Sequence, residues 1–333
     1  MGSAGRKEVG ERHNRMDRIK TLLASEYLVL LLCGVYFAAF APFVDGFAST
    51  ENTFNILAAM LPLLVIATGQ TLVLISGGID LSVTSIIALA SVVGAMLITS
   101  DGGALAGTAA ATQMGIMVML AVGGTIGLLN GSLVSLLRMP PFIVTLTAMM
   151  FFSGLAIWLT KSKSIYNLPA SFLTLGKETW MTALIAALVV VVAHLALVRT
   201  LFGRWLYAVG HNAKAALISG VPVNRVLVLT YVASGLCAGI AAVLITGRLE
   251  TGSPVHWRNN LLDVIGATVI GGTSLYGGKG KVLWTVFGVL FLTLIDNSLN
   301  LLSLSFFTIM MVKGGVILLA ALLDTVRNKL LAK

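Results

Sequence analysis

Nine long apolar runs divide this chain, and no other feature restricts its fold as strongly. Each run has roughly the 20 residues that an α-helix needs to cross a bilayer, about twice the length of a barrel strand. The 333-residue chain is 57% hydrophobic and 11% charged, whereas soluble domains are about half apolar and a quarter charged. The sequence therefore predicts an all-α polytopic membrane protein. The runs are 26–43, 55–75, 81–100, 112–137, 140–160, 179–198, 226–246, 282–302 and 305–323.

A tenth candidate, the short glycine-rich run 261–277, decides whether the two termini share a side. Cytoplasmic segments of membrane proteins carry an excess of Lys and Arg. With ten crossings, sixteen basic residues fall inside and five fall outside. We therefore expect about ten transmembrane helices with both termini in the cytoplasm. The sixteen are Arg6, Lys7, Arg12, Arg15, Arg18, Lys20, Arg138, Arg199, Arg204, Lys214, Arg225, Lys279, Lys281, Arg327, Lys329 and Lys333, and the five are Lys161, Lys163, Lys177, Arg248 and Arg258.

This topology gives three regions: a basic cytoplasmic tail over 1–24, a transmembrane domain over 25–325 and a cytoplasmic C-terminal tail over 326–333. The net charge of +9 does not indicate nucleic-acid binding, because the basic residues lie in the tail and in short loops. Membrane lipid is the surrounding partner. Lys313 lies within the last run, where pairing inside the bundle or snorkelling is favoured over a role in transport.

Residues 76–85 form a polar segment that separates the second run from the third and includes the start of the third. It reads Ser-Gly-Gly-Ile-Asp-Leu-Ser-Val-Thr-Ser. Broken backbone at membrane depth persists only against protein or a watery cavity, because lipid offers no hydrogen-bonding partners. A carboxylate there is a functional candidate by default. We therefore expect Asp80 and its neighbour Ser82 to lie at a functional site.

A second glycine-broken segment, 271–280, occupies a comparable place in the other half of the chain. It is not a phosphate-binding loop, since Thr273 stands where that motif needs glycine and Gly280 where it needs Ser or Thr. No nucleotide site or other cofactor is therefore expected on this chain. A simple glycine-rich turn between short helices is an open alternative. The paired breaks suggest an internal structural repeat around a central pathway.

The polar segment 203–225 is predicted to carry a structured helix on the cytoplasmic face. Asn212 can cap a helix from Ala213 to Ser219, Gly220 can end it, and Pro222 prevents its continuation. Such an element suits docking to a partner. An ordinary amphipathic surface helix is the alternative.

The remaining polar residues of the apolar runs give weaker signals. Asp296 and Asn300 share a helical face, which favours interhelical hydrogen bonding over solute contact. His194 and His256 are isolated, and Cys33 and Cys237 lie inside apolar runs. No metal site is expected, because one would need more ligands.

Five stretches together resemble one transporter family. They are Gly69-Gln70-Thr71; Ser76 to Val83; Tyr207 to Asn212 with Ala215-Ala216 and Ser219-Gly220-Val221; Ile270 to Ser274 with Gly277 to Gly280; and Asn297 to Leu302. In this order they resemble the permease subunits of bacterial ABC importers of the ribose type, over roughly residues 50 to 325. Each stretch alone would be weak evidence for the family, whereas the five together are specific to it.

The resemblance implies a ten-helix permease of the bacterial cytoplasmic (inner) membrane that imports a monosaccharide or related polyol. It pairs with a second permease copy or paralogue, with ABC ATPase subunits that hydrolyse ATP, and with a periplasmic sugar-binding protein. This chain would then be a transport subunit and not an enzyme. Segment 203–225 becomes the coupling element, with Gly210, Asn212, Ala215, Ala216 and Gly220 as its matching residues. The candidate pathway or gating residues are Asp80, Ser82, Thr273 and Asn297.

Three positions depart from the family pattern. Thr84 and Trp284 stand where glycine is frequent, and Leu261 stands where an acidic residue is common. A bulky Trp284 fills space between helices, so the solute or partner can differ from that of a ribose permease. An ABC permease for an amino acid or nucleoside therefore stays open, as does a secondary carrier in which Asp80 or Asp296 takes up a proton or sodium ion.

Overall fold

The computed structural model describes residues 28–255 and 257–331, and this part of the chain forms twelve α-helices. The predicted tail over 1–24, His256 and Lys333 lie outside the described residues. The helices are α1 (Leu28–Phe40), α2 (Thr50–Ile75), α3 (Val83–Ile98), α4 (Ala111–Ser135), α5 (Pro141–Thr160), α6 (Ala170–Lys177), α7 (Thr179–Arg199), α8 (Leu201–Ile218), α9 (Val223–Leu249), α10 (Leu261–Ile270), α11 (Val282–Leu301) and α12 (Phe306–Leu331).

Six helices of the described residues are long and apolar enough to cross a membrane, namely α2, α4, α5, α7, α9 and α11. Three shorter apolar helices accompany them: α1, α3 and the 306–322 part of α12. The prediction of an all-helical, multi-pass membrane protein is confirmed at this level. An isolated bridge between Ile165 and Gly252 is the one β pairing within the described ranges.

Helices α2 and α9 form the centre of the bundle. The most apolar window of α2 is 83% buried and that of α9 is 67% buried, against 22% for α5 and 28% for α7. Helices α5 and α7 therefore present most of their apolar surface outward, as lipid-facing helices do. Ser49 begins α2 by accepting a hydrogen bond of 3.1 Å from the Asn52 N–H.

Helices α4 and α9 pack together through glycines spaced four residues apart on α4. A methyl group at Gly131 would lie 2.9 Å from Val228 Cα, and one at Gly123 or Gly127 would overlap the carbonyl oxygen of Gly235 or Tyr231. Small residues at this spacing let two helix backbones approach closely inside a membrane. The contact fixes α4 against the central helix.

The connecting segments meet at two opposite ends of the bundle. At one, which we name the bridge end, Ser100 N donates to Asn167 O at 2.9 Å beside the Ile165–Gly252 bridge. At the other, which we name the junction end, Gly278 N donates to the Ile75 carbonyl oxygen at 2.9 Å. The 26 residues of α2 separate the two ends by about 38 Å at 1.5 Å per residue.

Three predicted boundaries differ from the structure. The run 261–277 is helical only to Ile270, because three of the glycines that follow, at 272, 277 and 278, adopt positive φ angles. Segment 203–225 is helical well beyond the predicted helix from Ala213 to Ser219, since α8 runs from Leu201 to Ile218 and α9 starts at Val223. The last run extends beyond 323 as the same helix, to Leu331.

Candidate functional site

Asp80 is held in the broken segment between α2 and α3 by hydrogen bonds from two directions. Its side chain is fully buried. Oδ1 accepts hydrogen bonds from the Ser82 amide at 2.9 Å and the Ser82 hydroxyl at 2.6 Å. Oδ2 accepts one of 2.9 Å from the Ser234 hydroxyl on α9. Of the two surroundings that the sequence allows, protein or a watery cavity, the break has protein, because the carboxyl group joins the segment to a central helix.

The surrounding helices complete a polar network around this segment. Asn130 on α4 donates to the Ser82 hydroxyl oxygen at 2.8 Å. The Ile79 carbonyl oxygen accepts a bond of 3.2 Å from Thr145 on α5, and the Tyr231 hydroxyl of α9 lies 3.5 Å from it. The polar groups of the break are therefore paired with three different helices.

Asp80 is held by hydrogen bonds and not by a basic side chain. No ion pair reaches it from the described part of the chain. Helix α3 begins three residues later, and the N-terminus of a helix favours a nearby negative charge. Together with three hydrogen-bond donors, this position lets the buried carboxyl group of Asp80 anchor the segment.

The residues that hold Asp80 were not predicted from the sequence. Asn130, Ser234 and Tyr231 are polar side chains inside the long apolar helices α4 and α9, and each is fully or almost fully buried. Isolated polar residues within a membrane span are the signal that could have found them. Their grouping around one carboxylate needs the packing of the bundle.

At the junction end, both glycine-broken segments approach the backbone of helix α8 closely. A methyl group at Gly277 would lie 2.8 Å from Gly77 Cα and 2.8 Å from the Gly210 carbonyl oxygen. A methyl group at Gly210 would lie 2.6 Å from Gly278 N and would overlap the Ile75 carbonyl oxygen. We name Gly77, Gly210, Gly277 and Gly278 the glycine junction. Only glycine permits such an approach of three chain segments.

Helix α8 changes direction at Asn212, as the sequence indicates. Asn212 has non-helical angles (φ −161°, ψ 100°), and its Oδ1 accepts a hydrogen bond of 3.0 Å from the Ala215 N–H. The predicted N-cap is therefore confirmed. The short helix 213–218 ends as expected, because Gly220 has a φ of +82° and Val221 N donates to Ala216 O at 3.0 Å.

Tyr207 ties the first part of α8 to the second broken segment. Its hydroxyl donates a hydrogen bond of 2.7 Å to the Gly280 carbonyl oxygen. Burial raises the pKa of the Tyr207 phenol above its usual value, so the hydroxyl keeps its proton and remains a donor. Helix α8 is thus joined to the 271–281 segment by a side chain as well as by the glycine junction.

The four candidate pathway residues do not form one cluster. Asp80 and Ser82 are bonded to each other, whereas Thr273 lies beside Gly280 in the other broken segment. Asn297 on α11 exchanges two amide hydrogen bonds of 2.8 Å with Asn52 near the start of α2. Asn297 therefore lies towards the bridge end of α11, whereas Thr273 precedes the start of that helix at the junction end.

Three other charged residues of the bundle form a separate group. Lys313 pairs with Asp263 and Asp296, and Asn300 donates to Asp296 Oδ2 at 3.2 Å. The predicted pairing of Lys313 inside the bundle is confirmed. Within the described ranges, no group of three His, Cys, Asp or Glu side chains could hold a metal ion.

Residues 52–321 match the model of the family described as branched-chain amino acid transport system, permease component. The chain belongs to this family. A ribose import permease protein of Bacillus subtilis (strain 168) is 38% identical over 285 residues, covering 84% of this chain and 86% of that protein. The ribose import permease protein of Escherichia coli (strain K12) is 35% identical over 315 residues, covering 91% and 94%.

The L-arabinose transport system permease protein of Escherichia coli (strain K12) is 34% identical over 308 residues, covering 91% of this chain and 92% of that protein. No solved structure matches the chain. The family resemblance carried by the sequence motifs is therefore confirmed. As a member of this permease family, the chain is a transport component of the membrane.

Proposed function

We propose that this chain is the permease subunit of an ABC importer that moves a monosaccharide or related polyol into the cell. ATP is hydrolysed on a partner subunit, and a periplasmic sugar-binding protein delivers the solute. The assembly lies in the bacterial cytoplasmic (inner) membrane and contains a second permease copy or paralogue. Support comes from the family and from relatives named for ribose, L-arabinose and D-allose.

The observation that carries this proposal is the glycine junction. Helix α8 holds the coupling residues Gly210, Asn212, Ala215 and Ala216, and its backbone touches both broken segments. A rigid element in contact with both halves of the bundle can transmit a movement of its partner to both halves at once. A carrier driven by an ion gradient has no need of such an element.

The mechanism follows from these contacts. The short helix 213–218 docks on the ATPase, and closure of the ATPase dimer displaces it. The Asn212 cap and the Gly220 turn keep the short helix intact during this movement. Gly210 and Tyr207 pass the displacement to the ends of α2 and of the 271–281 segment. The ATPase shifts the access equilibrium only through its different contacts with the two bundle states.

The short helix exposes an apolar tip with a basic residue beside it, and this surface supports docking on the ATPase. Leu217 is 61% exposed and Ile218 is 88% exposed, and Lys214 one turn earlier is also exposed. Ala216 is buried and fixes the opposite side of the helix to the protein. A matching ATPase surface would have an apolar cleft with an acidic edge.

Ten crossings with both termini in the cytoplasm remain our proposal for the topology. The bridge end joins the connections that follow α3, α5 and α9, so these helices run in one direction. Helices α2 and α11 are antiparallel to each other, since Asn52 meets Asn297 and Thr71 meets Thr285. These contacts support a crossing by α10 together with the 271–281 segment. The permease domain then spans 25–325 between the tails 1–24 and 326–333.

In this scheme Asp80 and Ser82 gate the pathway by fixing the first broken segment against α9. Thr273 has the corresponding place in the second segment, where its buried hydroxyl has no hydrogen-bonding partner among the described residues. Asn297 locks α11 to α2 at the bridge end through Asn52. No residue of this chain performs covalent chemistry.

Reconstitution of permease, ATPase and binding protein in proteoliposomes tests the proposal. We expect loaded binding protein to stimulate ATP hydrolysis and labelled sugar to accumulate inside only when ATP is present. A matched complex whose permease carries Ile218→Asp should lose stimulation while the bundle stays folded. Accumulation of an amino acid or nucleoside, with sugars inert, would overturn the substrate class. Uptake on a proton or sodium gradient without ATPase would establish a secondary carrier.

A further inference from the structure

Gln70 on α2 has a fully buried side chain, and neither atom of its carboxamide has a hydrogen-bonding partner among the described residues. Because Nε2 and Oε1 are both unpaired, the observation does not depend on how the amide is oriented. Buried polar groups in folded proteins are nearly always paired, so each exception needs an explanation. This one lies in the most buried of the six long apolar helices.

The neighbours of Gln70 follow the usual rule. Thr68 donates to Leu64 O at 2.8 Å, and Thr71 donates to Ala67 O at 2.7 Å while its hydroxyl also meets that of Thr285. Both fully buried hydroxyls on this stretch of α2 are therefore satisfied. The unpaired amide is a feature of one position and not of the helix.

The direction of the side chain follows from the contacts of the residues on either side. Gly69 faces α9, where a methyl group would lie 2.9 Å from Cys237 Cβ, and Thr71 faces Thr285 of α11. Successive helical residues are about 100° apart. Gln70 therefore points between the two neighbouring helices.

We propose that Gln70 is a solute-contacting residue of the transport pathway. When α2 moves relative to α9 or α11, its carboxamide comes to face the opened path and pairs with the passing solute. In the described arrangement the amide is unpaired, and opening of the bundle gives it a hydrogen-bonding partner. This inference rests on the proposed transport function and assigns a residue to it.

The chemistry of the position favours an uncharged, polyhydroxylated solute. A carboxamide offers a donor and an acceptor, and a hydroxyl group can use both. The only ionisable residue of α2 is Glu51 in its first turn, and the residues one turn from Gln70 on its face, Ile66, Ala67, Val73 and Leu74, are apolar. A charged solute would have to give up its hydration there without compensation. A monosaccharide or polyol meets the requirement.

Substitution of Gln70 by methionine separates a pathway role from a packing defect. Gln70→Met keeps the size of the side chain and removes the unpaired amide, so thermal stability of the full complex should rise. Sugar uptake per ATP hydrolysed should nevertheless fall about two- to tenfold, the effect of one hydrogen bond to an uncharged partner. The matched control Thr68→Val, on the opposite side of the same helix, should leave uptake unchanged.

Accessibility of a thiol introduced at position 70 gives an independent readout. With Cys33 and Cys237 replaced by alanine, Gln70→Cys should react with 2-aminoethyl methanethiosulfonate in at least one nucleotide state of the complex. Transported monosaccharide should slow that reaction. Thr68→Cys, about 160° around the helix, should react in no state.

Either readout can overturn the proposal. Three results would each reduce the amide to a structural feature. They are wild-type uptake by Gln70→Met, a fall in both the stability and the uptake of Gln70→Met, and no labelling of the Gln70→Cys variant in any nucleotide state. Labelling without protection by any monosaccharide would keep the pathway position and overturn the polyol class. If the wild-type complex accumulates no sugar, the proposed function fails, and labelling of the Gln70→Cys variant still decides whether position 70 faces the path.

Discussion

Lys313 on α12 donates a hydrogen bond of 2.9 Å to Asp263 Oδ2 on α10, and both side chains are nearly buried, at 16% and 10% exposure. The same ammonium group lies 3.0 Å from Asp296 Oδ1 on α11. One cation therefore joins three helices near the bridge end. Because a buried charge without a partner is costly, this group is a structural connection whose loss should be measurable.

We expect Lys313→Met to destabilise the bundle by about 3–5 kcal/mol, because it leaves Asp263 buried without its counter-charge. Thermal unfolding of the purified permease in detergent measures the loss. The double variant Lys313→Met with Asp263→Asn should recover most of it, since the buried charge of Asp263 is then removed and only the half-exposed Asp296 loses its partner. Asp296→Asn should cost less, because Asp296 is 44% exposed. Equal losses in all three variants would contradict the assignment.

We expect Asp80→Asn to lower transport rate or assembly while uptake stays dependent on ATP. The asparagine oxygen can still accept from Ser82, and the Ser234 hydroxyl can rotate to accept from the new amide. What is lost is the negative charge at the N-terminus of α3, worth about 0.3–2 kcal/mol. Asp80→Ala should be more damaging, because it leaves three donors without an acceptor. Uptake assays with and without ATPase measure both variants.

The sequence predicts the fold wherever one physical constraint dominates. A helix of about 20 apolar residues satisfies its own backbone in lipid, so the nine runs mark nine helices with small shifts in their ends. The stretch 261–277 fails this test, because hydropathy does not register the backbone conformation of its glycines. Helix α6 lies in a polar connection and was likewise not predicted.

Local signals of the candidate site were predicted correctly, and long-range ones were not. The Asn212 cap and the Gly220 turn depend on residues within about one helical turn, so their chemistry is visible in the sequence. The polar network around Asp80 instead joins distant parts of the chain: Asn130 lies 48 positions from Ser82, and Ser234 lies 154 positions from Asp80. These partners become neighbours only when the bundle packs.

We expect single cysteines to report ten crossings with both termini inside. Lys163→Cys, in a connection at the bridge end, should be labelled in intact cells by a membrane-impermeant maleimide. Lys214→Cys on α8 and Leu330→Cys should be labelled only after the cells are opened. The background carries Cys33→Ala and Cys237→Ala, since both native cysteines are buried. External labelling at position 330 would refute the shared side of the termini.

We expect Gly210→Ala to uncouple ATP hydrolysis from uptake. The added methyl group cannot fit beside the Ile75 carbonyl oxygen, so α8 must move away from both broken segments. A change of about 1–3 kcal/mol in coupling corresponds to a roughly 5- to 150-fold change in response. Gly154→Ala on α5 is the matched control, because nothing lies within 4 Å of its added methyl group. Comparable losses in both variants would argue against a special role for the glycine junction.

Replacement of Gly220 tests whether the short helix 213–218 must end in a left-handed turn. No atom lies within 4 Å of a methyl group built at Gly220, so its φ of +82° is the only obstacle to a side chain. A β-branched residue is strongly disfavoured at such an angle, whereas asparagine tolerates it. We therefore expect Gly220→Val to shift the exposed tip at Leu217 and Ile218 and to reduce sugar uptake, with ATP hydrolysis no longer stimulated by the loaded binding protein. Gly220→Asn should keep both activities near wild type.

Crosslinking from Lys214→Cys to the ATPase reports the docking directly. Unchanged crosslinking and uptake in Gly220→Val would show that the turn does not position the docking helix.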